Sequence, residues 1–279
     1  NFAGTVQVDS VSFVWDQAPL AMENLTGNWS VRSQAAAPVL GASLDLDGAE
    51  WKSFNVQSMH LEANGAVMSP RLAFTARVDS AALVEGAVNV PLNAVQRTEG
   101  RVRFEGFPLR TINAFMPPAS IELDGVAQGS LAISTERGMP AFKGEISVTD
   151  AQLAVPYLGT HYGIHGTVSV RPEGFYMDQW RLVDGDGRTA RFNGTALHSA
   201  FGDWSLDFGV DATGEPVELM NIPVSDDALF YGTASGTGDI NISGYGPYLQ
   251  FDAQLATGDG TEFALPMDSR SDVNHAEFI

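Results

Sequence analysis

Two histidines four residues apart are the first candidates for chemistry in this chain. His161 and His165 both lie in the segment 160–165. On a helix this spacing places two imidazoles on one face, where they can bind zinc. Gly159 and Gly163 disfavour a helix, and on a strand the two side chains are roughly 13 Å apart, too far for one metal ion. We therefore interpret the pair as structural and expect no metal site.

Two acidic segments resemble the start of calcium-binding loops. They read Asp-Leu-Asp-Gly at 45–48 and Asp-Gly-Asp-Gly at 184–187. Neither is followed by a glutamate at the spacing that a bidentate calcium ligand requires. Both segments are predicted to be turns.

Nucleotide binding and nucleophilic catalysis are also poorly supported. The stretch Gly-Thr-Gly-Asp-Ile-Asn at 236–241 begins like a dinucleotide fingerprint, but it lacks the third glycine and opens a strand pattern. Ser235 does not lie in a Gly-x-Ser-x-Gly motif. The many carboxylates fall in turns or on the polar phase of strands, whereas a catalytic pair needs burial and proximity. We expect no enzyme activity, no catalytic residues and no cofactor.

Composition narrows the classes of partner. The 279 residues include 15 basic and 34 acidic side chains, for a net charge of −19. A phosphate backbone needs a basic footprint, so nucleic acid is excluded as a partner, and a polybasic patch for anionic lipid is missing too.

Cysteine is absent, which excludes disulfide and thiol chemistry. The chain begins at Asn1, and we interpret it as an internal fragment of a longer protein.

A short phrase recurs along the chain: glycine, a usually polar residue, apolar, any, apolar. Its copies begin at Gly4, Gly27, Gly86, Gly100, Gly129, Gly144, Gly166 and Gly238. We interpret each as a turn glycine that opens a strand with period-two spacing. The uneven spacing favours a meander of hairpins over a β-helix with a fixed repeat, and about 18 to 22 strands fit the chain at that turn density.

The alternation predicts an all-β fold with one apolar sheet face. Trp204, Leu206, Phe208 and Val210, for example, alternate with polar or small residues. Helical spacing at 108–116 and 216–222 predicts one or two very short helical turns packed across an open edge of that face. Alternation alone favours the core of an ordinary sandwich or a β-helix over an open trough, and only a resemblance in the C-terminal part reverses that order.

The C-terminal part carries a more specific resemblance. The run 231–244, Tyr-Gly-Thr-Ala-Ser-Gly-Thr-Gly-Asp-Ile-Asn-Ile-Ser-Gly, continues through 248–252 and 257–267. Together with the segments 155–158, 192–195 and 201–207, it resembles the translocation and assembly module TamB family of the AsmA-like group. The resemblance is strongest over 118–279, whereas the first hundred residues share only the general strand style.

The resemblance implies a fold and a location. Residues 1–279 would form a single continuous segment of a long, mostly antiparallel meander, curled into an open U-shaped trough (a β-taco) with an apolar interior. The whole protein would lie in the periplasm of a double-membrane bacterium. An N-terminal inner-membrane anchor would lie outside this fragment, and an outer-membrane barrel of the TamA type would be its partner.

Two functions are compatible with the resemblance. The first is a conduit that binds phospholipid acyl chains by apolar contact along the trough. Its expected lining is Val168, Val170, Trp204, Leu206, Phe208, Val210, Ile240, Ile242, Leu249, Phe251, Leu255, Phe263 and Leu265. The second is a chaperone-like scaffold for outer-membrane β-barrel proteins, acting through exposed strand edges. An adhesin-like protein with a dry sandwich core is a third possibility.

Overall fold

The computed structural model describes residues 1–15, 18–34, 37–51, 54–78, 82–92, 98–115, 121–136, 139–199, 202–224, 229–246 and 248–265. These residues form 17 strands and one 3-10 helix. The strands are β1 (Phe2–Trp15), β2 (Ala18–Arg32), β3 (Val39–Trp51), β4 (Phe54–Ala66), β5 (Ser69–Val78), β6 (Ala82–Asn89), β7 (Glu99–Pro108), β8 (Glu122–Glu136), β9 (Met139–Val155), β10 (Thr160–Arg171), β11 (Gly174–Val183), β12 (Thr189–Ser199), β13 (Gly202–Asp211), β14 (Val217–Ile222), β15 (Tyr231–Tyr245), β16 (Tyr248–Thr257) and β17 (Glu262–Ala264). The helix, Leu109–Phe115, lies between β7 and β8.

All strands belong to one antiparallel sheet. Consecutive strands pair from β1 to β13, and β15 then pairs with β13 and β14 on one side and with β16 and β17 on the other. Among the described residues, β1 and β16 each pair on one side only, so the sheet is not closed. The predicted all-β, antiparallel meander is confirmed and is consistent with an open trough. An apolar lining of such a trough stays a prediction.

The recurring glycines lie inside strands, so their interpretation as turn residues is wrong. Gly166, for example, lies within β10, where a Cβ atom would stand 2.2 Å from the Trp180 ring on β11. Gly194 on β12 receives the Phe208 ring of β13 in the same way, with a Cβ position 2.4 Å away. These glycines leave room for a large side chain of the next strand to lie across the sheet.

A line of irregular pairings crosses the middle of the sheet. The register shifts once in each of the five successive pairings from β7–β8 to β11–β12. Four residues along this line have positive φ: Gly106 (65°), Gly125 (96°), Asp150 (52°) and Gln179 (52°). Bulges bend a strand and redirect its side chains, so the strand ends beyond this line point differently from the rest of the sheet.

Beyond the bulges the strand ends form a buried core. Leu109 of the helix, Ile164 of β10, Leu182 of β11 and Val217 of β14 belong to this one hydrophobic cluster. The predicted helical turn at 108–116 is confirmed over Leu109–Phe115, while Met116 lies outside the described residues.

The second predicted helical turn, at 216–222, is wrong. Val217–Ile222 is the strand β14, which pairs with β15 from Val217 opposite Gly236 to Ile222 opposite Gly232. Helical spacing over six residues is a weak signal, and the backbone ladder that β15 offers overrides it.

We predict that Gly166→Ala destabilises the protein. The added methyl would overlap the ring of Trp180, which is buried in the core and cannot move aside. Overpacking of this kind costs about 1–3 kcal/mol, measurable as a lower free energy of unfolding in urea. Gly214→Ala is the matched control, because nothing lies within 4 Å of its Cβ position. Equal stability of the two variants would contradict the overlap.

Candidate functional site

One face of the sheet carries an unbroken apolar row. Successive cross-strand partners share a face, so the register can be followed from strand to strand. The first apolar row crosses fifteen strands and consists of Val6, Gly27, Leu44, Leu61, Phe74, Gly86, Val102, Leu131, Gly144, Val170, Phe175, Ala196, Leu206, Gly244 and Leu249. Every member is apolar or glycine.

A second apolar row runs beside the first on the same face. It consists of Val8, Leu25, Leu46, Met59, Ala76, Val84, Phe104, Gly129, Ile146, Val168, Met177, Gly194, Phe208, Ile242 and Phe251. At a strand spacing of about 4.8 Å, the two rows form a band roughly 65–70 Å long. At every strand that the band crosses, the residue in each row is apolar or glycine.

The opposite face is polar over the same length. The row between the two apolar rows, but pointing the other way, consists of Gln7, Thr26, Asp45, His60, Thr75, Glu85, Arg103, Ser130, Glu145, Ser169, Tyr176, Thr195, Asp207, Ser243 and Gln250. Along these three rows the sheet is therefore amphipathic from β1 to β16, and an apolar ligand on the apolar rows would meet only one of its faces.

The two apolar rows are mostly half-buried. Only a few members, such as Leu46 and Val170, are fully buried, and the members on β16 are exposed. A second packed layer would bury nearly all of them, as the core beyond the bulges is buried. Among the described residues, the rows thus present apolar surface that the protein itself leaves partly uncovered.

The structure places most of the predicted lining in these rows. Val168, Val170, Leu206, Phe208, Ile242, Leu249 and Phe251 are row members. Val210 pairs with Ile240 on the same face, Leu255 lies opposite Gly238, and Phe263 of β17 lies opposite Gly232. Trp204 stacks on Phe175 with ring centroids 6.2 Å apart. Leu265 follows β17, so the register does not place it.

The sequence-based lining missed the first half of the band. Leu44, Leu61, Phe74, Val102 and Leu131 belong to the same row as the predicted residues. Val102 and Leu131 lie in copies of the recurring Gly-x-apolar phrase, which was the available signal for these two residues. Leu44, Leu61 and Phe74 lie in none of the copies, and the expected lining was drawn from residues 168–265 alone.

One edge of the band is closed by β14. Glu218 N–H of β14 donates to Asp184 Oδ2 (2.9 Å), and Tyr162 Oη–H donates to the Glu218 carbonyl (2.6 Å). Asn221 N–H donates to the Leu158 carbonyl (2.8 Å) in the turn between β9 and β10. These bonds tie β14 to strands several positions away in the sheet, so the sheet bends over its core at this edge.

Asp184 is the charged centre of that closure. Its side chain is fully buried and also accepts from Asp186 N–H (3.0 Å), Arg188 N–H (2.9 Å) and Arg188 Nε–H (2.9 Å). Burial acts to raise the pKa of Asp184, but the backbone donors of Glu218, Arg188 and Asp186 and the charge of Arg188 together lower this pKa below its usual value. The 184–187 segment is a turn, as predicted. The Asp184 carboxylate accepts hydrogen bonds from the protein itself.

A cleft of about 1080 Å³ lies on the polar face, across β4 to β10. Its wall includes Glu85, Arg101 and Arg103, so its lining holds charges of both signs. Nearby, His60 Nδ1 lies 2.6 Å from Asp45 Oδ1, and the hydrogen bonds to Asp45 and Glu62 raise the pKa of His60 above its usual value. Charged walls make this cleft unsuitable for an apolar ligand.

The other candidates for chemistry have structural roles. His161 and His165 lie on the strand β10, as expected. The prediction of a turn at 45–48 is wrong, because these residues are part of β3, where pairing with β2 and β4 fixes an extended backbone. No cluster of metal-ligating side chains occurs among the described residues. No helix in this part of the chain is long and apolar enough to cross a membrane.

The comparisons with known proteins identify no relative. No family model, no curated protein and no solved structure matches this chain. The functional argument therefore rests on the geometry of the sheet and on the sequence.

We predict that Asp184→Asn destabilises the β14 closure in a pH-dependent way. Losing a charged acceptor of four hydrogen bonds costs about 1–3 kcal/mol at neutral pH. Because the folded pKa lies below that of a free aspartate, the stabilisation is complete above about pH 4 and is lost as pH falls through the folded pKa.

The measurement is the free energy of unfolding of both proteins between pH 7 and pH 3. The wild type should lose its advantage over Asp184→Asn as the pH falls. Asp186→Asn is the control, since the Asp186 side chain is mostly exposed. A wild-type advantage that stayed constant down to pH 3 would contradict the assigned role of the carboxylate.

Proposed function

We propose that this chain is a lipid-binding segment that holds phospholipid acyl chains along its apolar face. The observation that carries the proposal is the pair of apolar rows, which continue without a polar interruption across fifteen strands of an open sheet. The rows would line the inside of a trough, and the polar face with its charges would remain in water.

The energetics favour a continuous apolar path. Moving one methylene from water to an apolar surface is worth about 0.8 kcal/mol, so a 16-carbon chain loses on the order of 12 kcal/mol on entering water. A surface that offers apolar contact at each successive strand removes the need for full hydration at any step. The headgroup would stay in solvent at the open side of the trough.

The TamB resemblance extends this proposal to the whole protein. On that view the chain is a periplasmic segment that carries phospholipid between the inner and outer membranes, anchored by a helix outside these residues and working with a TamA-type barrel. The amphipathic open meander supports this reading, because such a fold needs a partner for its uncovered apolar face. The role is a binding role, with no catalytic step.

We predict that a charge in the middle of the band reduces lipid binding. Leu131→Arg places a guanidinium in the first apolar row, where acyl chains would have to pass it, and desolvating that charge is costly. Phospholipid that co-purifies with the protein from detergent-free extracts should fall several-fold, as measured by extraction and native mass spectrometry. Phe251→Arg tests the end of the second row in the same way.

Two neighbours serve as matched controls. Ser130→Arg and Gln250→Arg change the adjacent residues of the same strands, whose side chains are on the polar face. Both should retain wild-type lipid content. A wild-type protein that is folded and free of lipid would contradict the proposal, as would equal loss in the control variants.

A second candidate function rests on the free strand edge of β1. This strand of 14 residues contains no lysine, arginine or proline and only one charged residue, Asp9. Edge strands in soluble proteins usually carry such residues as protection against pairing. A chaperone-like scaffold would use this edge to add a strand of an outer-membrane barrel protein.

The two functions respond to different variants. Thr5→Lys with Gln7→Lys introduces edge charges on β1 without touching the apolar rows. If the scaffold role operates, this variant should lose binding of an unfolded barrel protein by about tenfold, measured by fluorescence anisotropy, while Leu131→Arg keeps it. Client binding that depends on Leu131 and not on β1 would contradict the scaffold role.

A further inference from the structure

The hairpin between β15 and β16, with the adjoining ends of β12 and β13, carries a concentrated set of exposed apolar side chains, which we call the aromatic corner. It consists of Leu197, Trp204, Tyr245, Tyr248, Leu249 and Phe251. Tyr245 is 64%, Tyr248 79% and Phe251 66% exposed. Tyr245 lies opposite both Ser205 and Tyr248, so the corner is one connected region of the sheet.

The aromatic corner is apolar on both faces of the sheet. Trp204, Leu249 and Phe251 continue the face of the apolar rows. Leu197, Tyr245 and Tyr248 occupy the alternate positions of their strands and thus belong to the opposite face, which is polar elsewhere. A protein partner that packs on one face would leave the other uncovered, whereas a lipid environment covers both.

The aromatic corner also lacks the acidity of the rest of the chain. Asp203 is the one residue charged at pH 7 in the described stretches 197–199, 202–206, 243–246 and 248–251, in a chain with 34 acidic residues. Insertion of this region into an apolar medium would therefore desolvate little charge. The net charge of the whole chain, −19, opposes contact with an anionic surface.

We propose that the aromatic corner inserts into the interfacial layer of a phospholipid bilayer. Tyrosine and tryptophan favour that layer because each has an apolar ring and a polar tip. Leu249 and Phe251 are the last members of the two apolar rows, so the inserted corner would connect the bilayer with the β16 end of the band. That connection rests on the proposed lipid-binding function, whereas insertion itself follows from the corner alone.

The test is flotation of the protein with vesicles of pure phosphatidylcholine. Wild-type protein should float with the vesicles, and binding should change little between low and high salt because it is apolar. Tyr245→Ser with Tyr248→Ser should reduce the floating fraction about tenfold without altering the circular dichroism spectrum. Val224→Ser with Leu229→Ser is the matched control, since both side chains are 77% exposed. Val224 follows β14 and Leu229 precedes β15, so both lie towards the opposite end of β15 from the aromatic corner, and this variant should float like wild type.

Insertion depth gives a second readout. Brominated lipid should quench part of the tryptophan fluorescence, and Trp204→Phe should remove the quenched part. Wild type that does not float, or a corner variant that floats as well as the control, would overturn the proposal. A dimer that the corner variant abolishes, without flotation, would assign the corner to a second copy of the chain.

The lipid content of the same variants separates this proposal from the proposed function. A corner variant that fails to float but still co-purifies with phospholipid would support both proposals, membrane insertion by the corner and lipid binding by the apolar band, and would show that they are separate properties. A wild-type protein that floats with vesicles but co-purifies with no phospholipid would support insertion and contradict lipid binding by the apolar band.

Discussion

The structure depends on the register of its backbone hydrogen bonds. Side chains alternate between the two faces of a strand, so a slip of one residue in any pairing would move a whole strand's apolar residues to the polar face. No such slip accumulates from β1 to β16: Val6 and Leu249 end one row, and Gln7 and Gln250 end the polar row beside it. Where the register shifts at the bulges, Trp180 and Leu182 still face the core on the apolar side. The sheet is therefore amphipathic because the pairings from β1 to β16 all keep the apolar residues of neighbouring strands on the same face.

Several members of the apolar rows are glycines, which make room for large side chains of neighbouring strands. A row of fifteen large apolar side chains would crowd a curved sheet, and glycine at positions such as Gly86 lets the Phe74 ring lie across the neighbouring strand. Glycine at such a position, in place of a larger residue, costs backbone conformational entropy on folding, but it increases the contact area of the aromatic ring. Closure is confined to one edge, where the buried Asp184 holds β14. Among the described residues, the apolar surface of the rows is thus left partly uncovered while the sheet itself remains anchored.

The fold class could be predicted from the sequence, because period-two alternation is a direct consequence of strand geometry. The glycines were assigned to turns because a glycine before a strand pattern usually marks one. Only the close approach of the Trp180 ring on the neighbouring strand shows the actual role of Gly166. The strand Val217–Ile222 could not be foreseen, since its ladder with β15 and the hydrogen bond from Glu218 N–H to Asp184 both lie outside the six residues whose spacing predicts a helical turn. The apolar residues of the later strands were expected to share a face, and the continuation of their rows to Val6 required the register; that these rows line a lipid site stays a prediction.

Single-cysteine accessibility tests the central claim most directly, and the chain is suited to it because it contains no cysteine. Leu131→Cys lies in an apolar row, Val148→Cys in the buried core and Ser130→Cys on the polar face. In lipid-free protein, a maleimide should modify Leu131→Cys and Ser130→Cys but not Val148→Cys, and added phospholipid should protect Leu131→Cys alone. If Leu131→Cys were as unreactive as Val148→Cys without lipid, a second layer would cover the apolar face, and the account of an open apolar band would be contradicted.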